Sequence, residues 1–237
     1  MAKPPKPATP GKPSPAGGKK GGKKAASAPA PAAFLLLDRT GSMNAIWAEA
    51  LSSLNVYAES LVKVSPETEI TVLAFDSHGG TKIDTLRDAV RADAWKPLTD
   101  ADATPRGMTP LFDAIARIVA AAEAADRPRT TIVVQTEGAE NYSREASRDD
   151  AKAALDRAKA RDWDVVFLGA NFDAMGEAAN LGHAGATTLN IAKGSFGAAM
   201  MDMAVRTASY NSGALRAGSV FSDAQRAHAA GRAGPKA

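Results

Sequence analysis

Along residues 33–221, short apolar runs alternate with longer amphipathic stretches, the pattern of βα units wound around a mostly parallel sheet. Residues 33–38, 69–76, 130–136, 163–170 and 187–191 read as buried strands. Each is short, rich in Leu, Val, Ile or Thr, and bounded by polar or Gly residues. A weaker run, 81–86, follows the turn signal Ser77-His78-Gly79-Gly80, which predicts an antiparallel edge strand closed by a hairpin. Helices fill the intervals. Across 44–64, Trp47, Leu51, Leu54, Ala58 and Leu61 recur every three or four residues and share one face. Residues 110–125 repeat this with Leu111, Ile115, Ile118 and Val119, while 147–161 is Ala-rich and charged. Residues 195–210 supply a last helix whose Met200 and Met203 read as core filler. From about residue 222 the periodicity is lost and a frayed tail, 222–237, is expected. The predicted fold is α/β: a doubly wound, mostly parallel, six-stranded Rossmann-like sheet with helices on both faces.

Charge divides the chain sharply. The total is +3, from 29 Lys and Arg against 26 Asp and Glu. Seven Lys and no acid fall within the first 33 residues, so the remainder carries a net −4. The same stretch holds eight of the 14 Pro and nothing apolar larger than Ala except Met1. Residues 1–32 therefore read as a disordered basic leader that cannot bury enough apolar surface to offset its ordering entropy. Residues 33–221 form one domain of ordinary size. The apolar run 33–37 ends at Asp38, too short for a signal-peptide core, and no run approaches the ~20 apolar residues of a membrane helix.

The absence of Cys removes disulfides, thiolate metal sites and Cys nucleophiles, and the three His are widely scattered. Any metal would be held by oxygen. The first strand ends in Asp38-Arg39-Thr40-Gly41-Ser42. In a parallel sheet, ligands bind beyond the carboxyl ends of the strands where their order reverses. Asp38, Thr40 and Ser42 alternate along that loop and can turn their oxygens to one point, with Gly41 allowing a tight path. Thr109, before Pro110, and Glu137, after the fourth strand, supply a third hydroxyl and a second carboxylate to the same crevice. Each has a structural alternative: Ser42 as the cap of the helix that follows, and Thr109 as an N-cap with Pro at the first helical position. Asp76 is expected to order its own turn, and Glu140 and Asn141 either to orient the loop after Glu137 or to be solvated.

These residues resemble the metal-ion-dependent adhesion site (MIDAS) of the von Willebrand factor A (vWA) family: Asp-x-Ser-x-Ser after the first strand, a Thr often followed by Pro-Leu, and Asp-Gly after the fourth strand. Here the positions fall on Asp38, Thr40, Ser42, Thr109 and Glu137, and the likeness spans about residues 33–210. Phe167-Leu168-Gly169-Ala170-Asn171 is similar to small stand-alone vWA proteins of bacteria and phages. Thr40 keeps the hydroxyl of the usual Ser, whereas Glu137 adds a methylene to the usual Asp. The resemblance implies a non-enzymatic protein-binding module that takes Mg²⁺, with Mn²⁺ or Ca²⁺ as alternatives, and captures a partner's Asp or Glu. It also implies a cytoplasmic protein of a bacterial or phage-infected cell, or one associated with a virion. The alternative is a metal-independent scaffold that has lost its site through Glu137. The leader is expected to touch nucleic acid or another acidic surface, or to serve as a spacer. Enzyme motifs are missing: no Gly-x-Ser-x-Gly elbow, no phosphate loop, and Thr40 where a dehalogenase-type phosphatase needs a second Asp.

Overall fold

The computed structural model describes residues 1–3, 29–169, 172–183 and 187–232. Most of the expected disordered leader, together with Ala170, Asn171 and residues 233–237, lies outside the described residues. Six strands form one sheet: β1 (Ala32–Asp38), β2 (Glu69–Asp76), β3 (Lys82–Arg91), β4 (Thr130–Thr136), β5 (Asp164–Gly169) and β6 (Thr188–Asn190). Their order is β3-β2-β1-β4-β5-β6. All neighbours pair in parallel except β2 and β3. The chain leaves β1 toward β2 and returns on its other side at β4, so the order reverses between β1 and β4. Ligand crevices open at such a reversal.

The helices are α1 (Trp47–Val64), α2 (Leu111–Ala125), α3 (Arg148–Ala160), α4 (Phe172–Asn180), α5 (Phe196–Asn211) and α6 (Asp223–Ala229). Alternation along β1 divides the core. Ala33, Leu35 and Leu37 join α1 and α5 on one face, while Ala32, Phe34 and Leu36 join α2 and α3 on the other. This is the doubly wound arrangement expected, with both faces covered.

Three elements depart from the sequence reading. The edge strand β3 runs on to Arg91 past an irregularity at Ala89, which has a φ of 45° and whose N–H donates to Thr71 Oγ1 at 3.0 Å. That side-chain acceptor repairs the interrupted ladder and lets pairing resume. Helix α4 is not among the predicted helices; it is short and contains Gly176. The tail is not frayed over Asp223–Ala229. A capping box joins Ser222 to Gln225 there, Phe221 and Ala229 are buried, and the Ala192 N–H donates to Ala229 O at 2.8 Å. Arg226 Nη1 also donates to Thr188 O at 3.1 Å, so α6 lies along β6. Seven residues are too few to show a helical period.

A buried ion pair fixes the segment leading to α6. Arg206 donates two hydrogen bonds to Asp164, at 2.7 and 2.8 Å, and a third to Ser219 O at 2.9 Å. The Gly218 N–H donates to Asp164 Oδ1 at 3.0 Å, and the guanidinium lies 4.6 Å from the Phe221 ring. This bidentate geometry, with further hydrogen bonds to both partners, is what makes a buried pair tolerable.

Candidate metal centre

Asp38 closes β1 at the reversal and is fully buried. Its Oδ1 accepts the Thr40 N–H at 2.8 Å and its Oδ2 accepts the Thr136 hydroxyl at 2.7 Å. The Glu137 backbone N–H also donates to it. These donors fix the carboxyl and curl the chain so that Thr40 and Ser42 rise on one side. Burial still dominates, and holds the Asp38 carboxyl above its ordinary range against all of these donors.

The three hydroxyls meet. Thr40 Oγ1 lies 3.1 Å from Ser42 Oγ, and Thr109 Oγ1 donates to Thr40 Oγ1 at 3.3 Å. Neither structural alternative for these residues holds. Ser42 lies in a 3-10 turn, Gly41–Ala45, and α1 begins later behind Ile46 with no side-chain cap. Pro110, not Thr109, is the N-cap residue of α2, again with no side-chain cap bond. The free amides of α2 are met from across the site: the Phe112 N–H donates to Glu140 Oε2 at 2.9 Å, and Ser143 Oγ accepts from Phe112 and Asp113 at 3.0 and 3.1 Å. Thr109 and Ser42 are thus released from capping.

Glu137 brings the second carboxyl. Its Oε2 is buried with no hydrogen-bond partner. Burial, and then the Asp38 charge, push this carboxyl up from its ordinary value. Gly138 follows, and a Cβ there would stand 3.2 Å from Thr109 Oγ1 and 3.7 Å from Ser42 Oγ. Absence of a side chain at 138 keeps the space beside these hydroxyls open. Asp38, Thr40, Ser42 and Thr109 are thus linked by hydrogen bonds, and Glu137 stands close enough to Asp38 to feel its charge, though among the described residues no group of three or more His, Asp or Glu gathers for a metal.

The donor set fits a hard cation. Neighbouring ligands of an octahedral ion at about 2.1 Å stand about 3.0 Å apart, close to the 3.1 and 3.3 Å between these hydroxyls. An orphaned buried carboxylate oxygen and two carboxyls pushed up by burial are what positive charge would relieve.

Of the supporting groups, only Asp76, Glu140 and Asn141 stand out in the sequence. Thr136 orients Asp38. Arg39 is buried, donating from Nε to Asp76 Oδ2 at 2.6 Å, and Arg106 reaches the same oxygen at 3.1 Å. Asp76 also accepts the His78 N–H at 2.6 Å, the turn-ordering role expected of it. Asp113 takes backbone N–H groups of Arg144, Glu145 and Ala146 at 3.1, 3.0 and 2.7 Å, stapling the loop after Glu137 to α2. Glu140 and Asn141 hold that loop instead of facing only solvent. An acid or amide that reaches backbone N–H groups from 30 residues away leaves no spacing to read.

No protein-family model matches the sequence, and no curated protein is significantly similar to it. Solved structures are similar in fold. A von Willebrand factor type A protein from Catenulispora acidiphila superposes with a TM-score of 0.52 at 15% identity, over 76% of this chain and 43% of that one. The manganese-loaded TRAP protein of Plasmodium vivax gives 0.51 at 12% identity, over 74% and 73%. Proximal thread matrix protein 1 from the mussel byssus, with zinc in its MIDAS motif, gives 0.53 at 13% identity, over 76% and 46%. The chain has a vWA-like fold. It spans less than half the length of the mussel and Catenulispora proteins.

Proposed function

We propose that the protein is a non-enzymatic binding module that holds a divalent cation with Asp38, Thr40, Ser42, Thr109 and Glu137 and uses it to capture a carboxylate of a protein partner. The observation that carries this reading is the meeting of three uncapped hydroxyls at the mouth of β1, and the buried, partnerless Glu137 Oε2 supports it. Two structurally similar proteins hold manganese and zinc, which supports a divalent ion in general. We favour Mg²⁺, with Mn²⁺ or Ca²⁺ as substitutes.

When bound, the cation supplies a positive centre to which a partner Asp or Glu adds as a further oxygen ligand. Asp38 and Glu137 balance its charge, and the hydroxyls supply neutral oxygens without making the site too negative to accept a third carboxylate. The exposed Ser42 and the exposed Ala139 and Met108 border the centre, leaving it open toward a partner. The test is calorimetric titration with Mg²⁺, Mn²⁺ and Ca²⁺, followed by partner capture with and without chelator. Heat of binding and chelator-sensitive capture are expected; no heat with any of the three ions would refute the cation.

The metal-independent scaffold is the second reading, favoured by the absence, among the described residues, of any group of three or more acids or His that could hold a metal. Titration of Glu137→Asp separates the two, because binding that appears only in that variant identifies a site lost through the extra methylene. We assign the Lys-rich leader a contact with nucleic acid or another acidic surface. Salt-sensitive DNA binding that survives removal of residues 1–32 would refute that assignment.

A further inference from the structure

We propose that Asn141 is a positioning residue that sets cation affinity by fixing the backbone of Thr109. The proposal rests on the cation reading above. Two hydrogen bonds join the residues reciprocally: the Thr109 N–H donates to Asn141 Oδ1 at 2.8 Å, and the Asn141 N–H donates to Thr109 O at 3.1 Å. Both polar backbone groups of Thr109 are thereby used by one residue. A β-branched side chain is stiff about χ1, so once the backbone is fixed the hydroxyl has little freedom. It points to Thr40 Oγ1 at 3.3 Å, and Thr109 is 2% exposed.

Asn141 is itself held. Its neighbour Glu140 accepts the Tyr142 N–H at 2.7 Å, the Ser143 N–H at 2.5 Å and the Phe112 N–H at 2.9 Å, and takes the Ser143 hydroxyl at 2.6 Å. The loop carrying Glu137 is thus anchored to the first turn of α2, and Asn141 transmits that anchorage to Thr109. Two carboxyl-bearing and hydroxyl-bearing segments, distant in sequence, become one unit. The choice of an amide follows from charge: Asn accepts the Thr109 N–H as a carboxylate would, without adding a third negative group beside Asp38 and Glu137.

Groups that orient metal ligands through such hydrogen bonds typically change affinity by about 10- to 100-fold when removed. The test compares full-length wild type, Asn141→Ala and Asn141→Asp, measuring Mn²⁺ dissociation constants and the number of Mn²⁺-bound waters by magnetic resonance. Asn141→Ala is expected to weaken Mn²⁺ by about 10- to 100-fold and to add about one bound water where the Thr109 hydroxyl is lost. Asn141→Asp restores the acceptor and should return affinity and hydration toward wild type. Wild-type affinity and hydration in the Ala variant would overturn the proposal, as would an Asp variant no better than Ala, which would mark a general loosening of the loop. Wild-type protein that takes up no Mn²⁺ would overturn the cation reading itself, and this inference with it.

Discussion

Gly138 offers the sharpest test of the site, because a single methyl group changes the space proposed for the cation and little else. The residue has no left-handed backbone, so Ala can adopt its conformation. Its new Cβ would stand 3.2 Å from Thr109 Oγ1 and 3.7 Å from Ser42 Oγ and Thr109 Cγ2. The first contact requires a shift of a few tenths of an ångström, directed at a proposed ligand. In the metal-free protein, the smaller conformational entropy of the unfolded chain favours Ala by about 0.4–1 kcal/mol, which offsets the crowding. Metal-free stability should stay within about 1 kcal/mol of wild type. The effect should fall on binding instead. With free Mn²⁺ at 100 times the wild-type Kd, binding adds about 2.7 kcal/mol of stability. A tenfold weaker variant at the same concentration gains only about 1.4 kcal/mol. For a domain of about 150–250 residues, each kcal/mol moves Tm by about 2–4 °C. Wild type should then gain about 5–11 °C and Gly138→Ala about 3–6 °C, read by thermal denaturation with and without Mn²⁺. An equal rise in both proteins would refute the argument that the open side of Gly138 is where the cation sits.

Other measurements probe separate parts of the structure. Cation affinity should fall as pH is lowered from 7 to 5, because Asp38 and Glu137 take up protons more readily than ordinary carboxyls and must release them to bind; calorimetry at the two pH values checks this. His183, buried behind Phe167, has its pKa pushed down to about 4, first by burial and then by the Lys159 charge. The folded protein disfavours the protonated ring, so its contribution to stability is present above pH 6.5 and lost as pH falls toward 4. The loss is of the order of 1–3 kcal/mol, and His183→Gln should flatten the pH dependence of Tm in that window. Arg206→Ala should lower stability by about 3–5 kcal/mol by leaving Asp164 charged and buried without its partner, measurable by urea denaturation. Leaving Tm unchanged, that substitution would show the ion pair to be dispensable.

The sequence made the central layer legible because strands buried on both faces must be apolar throughout. The runs that became β1, β2, β4 and β5 could hardly be anything else between their polar borders. Asp38 stood out for the same reason, as a charge ending such a run. What could not be read was the use of each hydroxyl. Thr109 before Pro110 is as good a cap as a ligand until the fold shows Glu140 and Ser143 meeting the amides of α2 instead. Helix α6 escaped notice because it depends on its capping box and on the surface it covers, and α4 because nine residues are too few to establish a period. The extension of β3 rested on one hydroxyl, Thr71 Oγ1, reaching across to Ala89.

Both edges of the sheet are poor templates for an added strand, and this narrows how the proposed partner would be recognised. At one margin β6 lies under α6, which takes up Thr188 O through Arg226. At the other, β3 presents Lys82, Asp84, Arg87, Asp88 and Arg91 and is interrupted at Ala89. Such charged and interrupted margins discourage another chain from adding a strand. Recognition by main-chain zippering, which reads little of the guest's side-chain chemistry, has no rail to run on here. A partner captured in the way proposed would instead meet the loops at the carboxyl ends of β1 and β4, where a single acidic side chain in the right place would decide whether it is held.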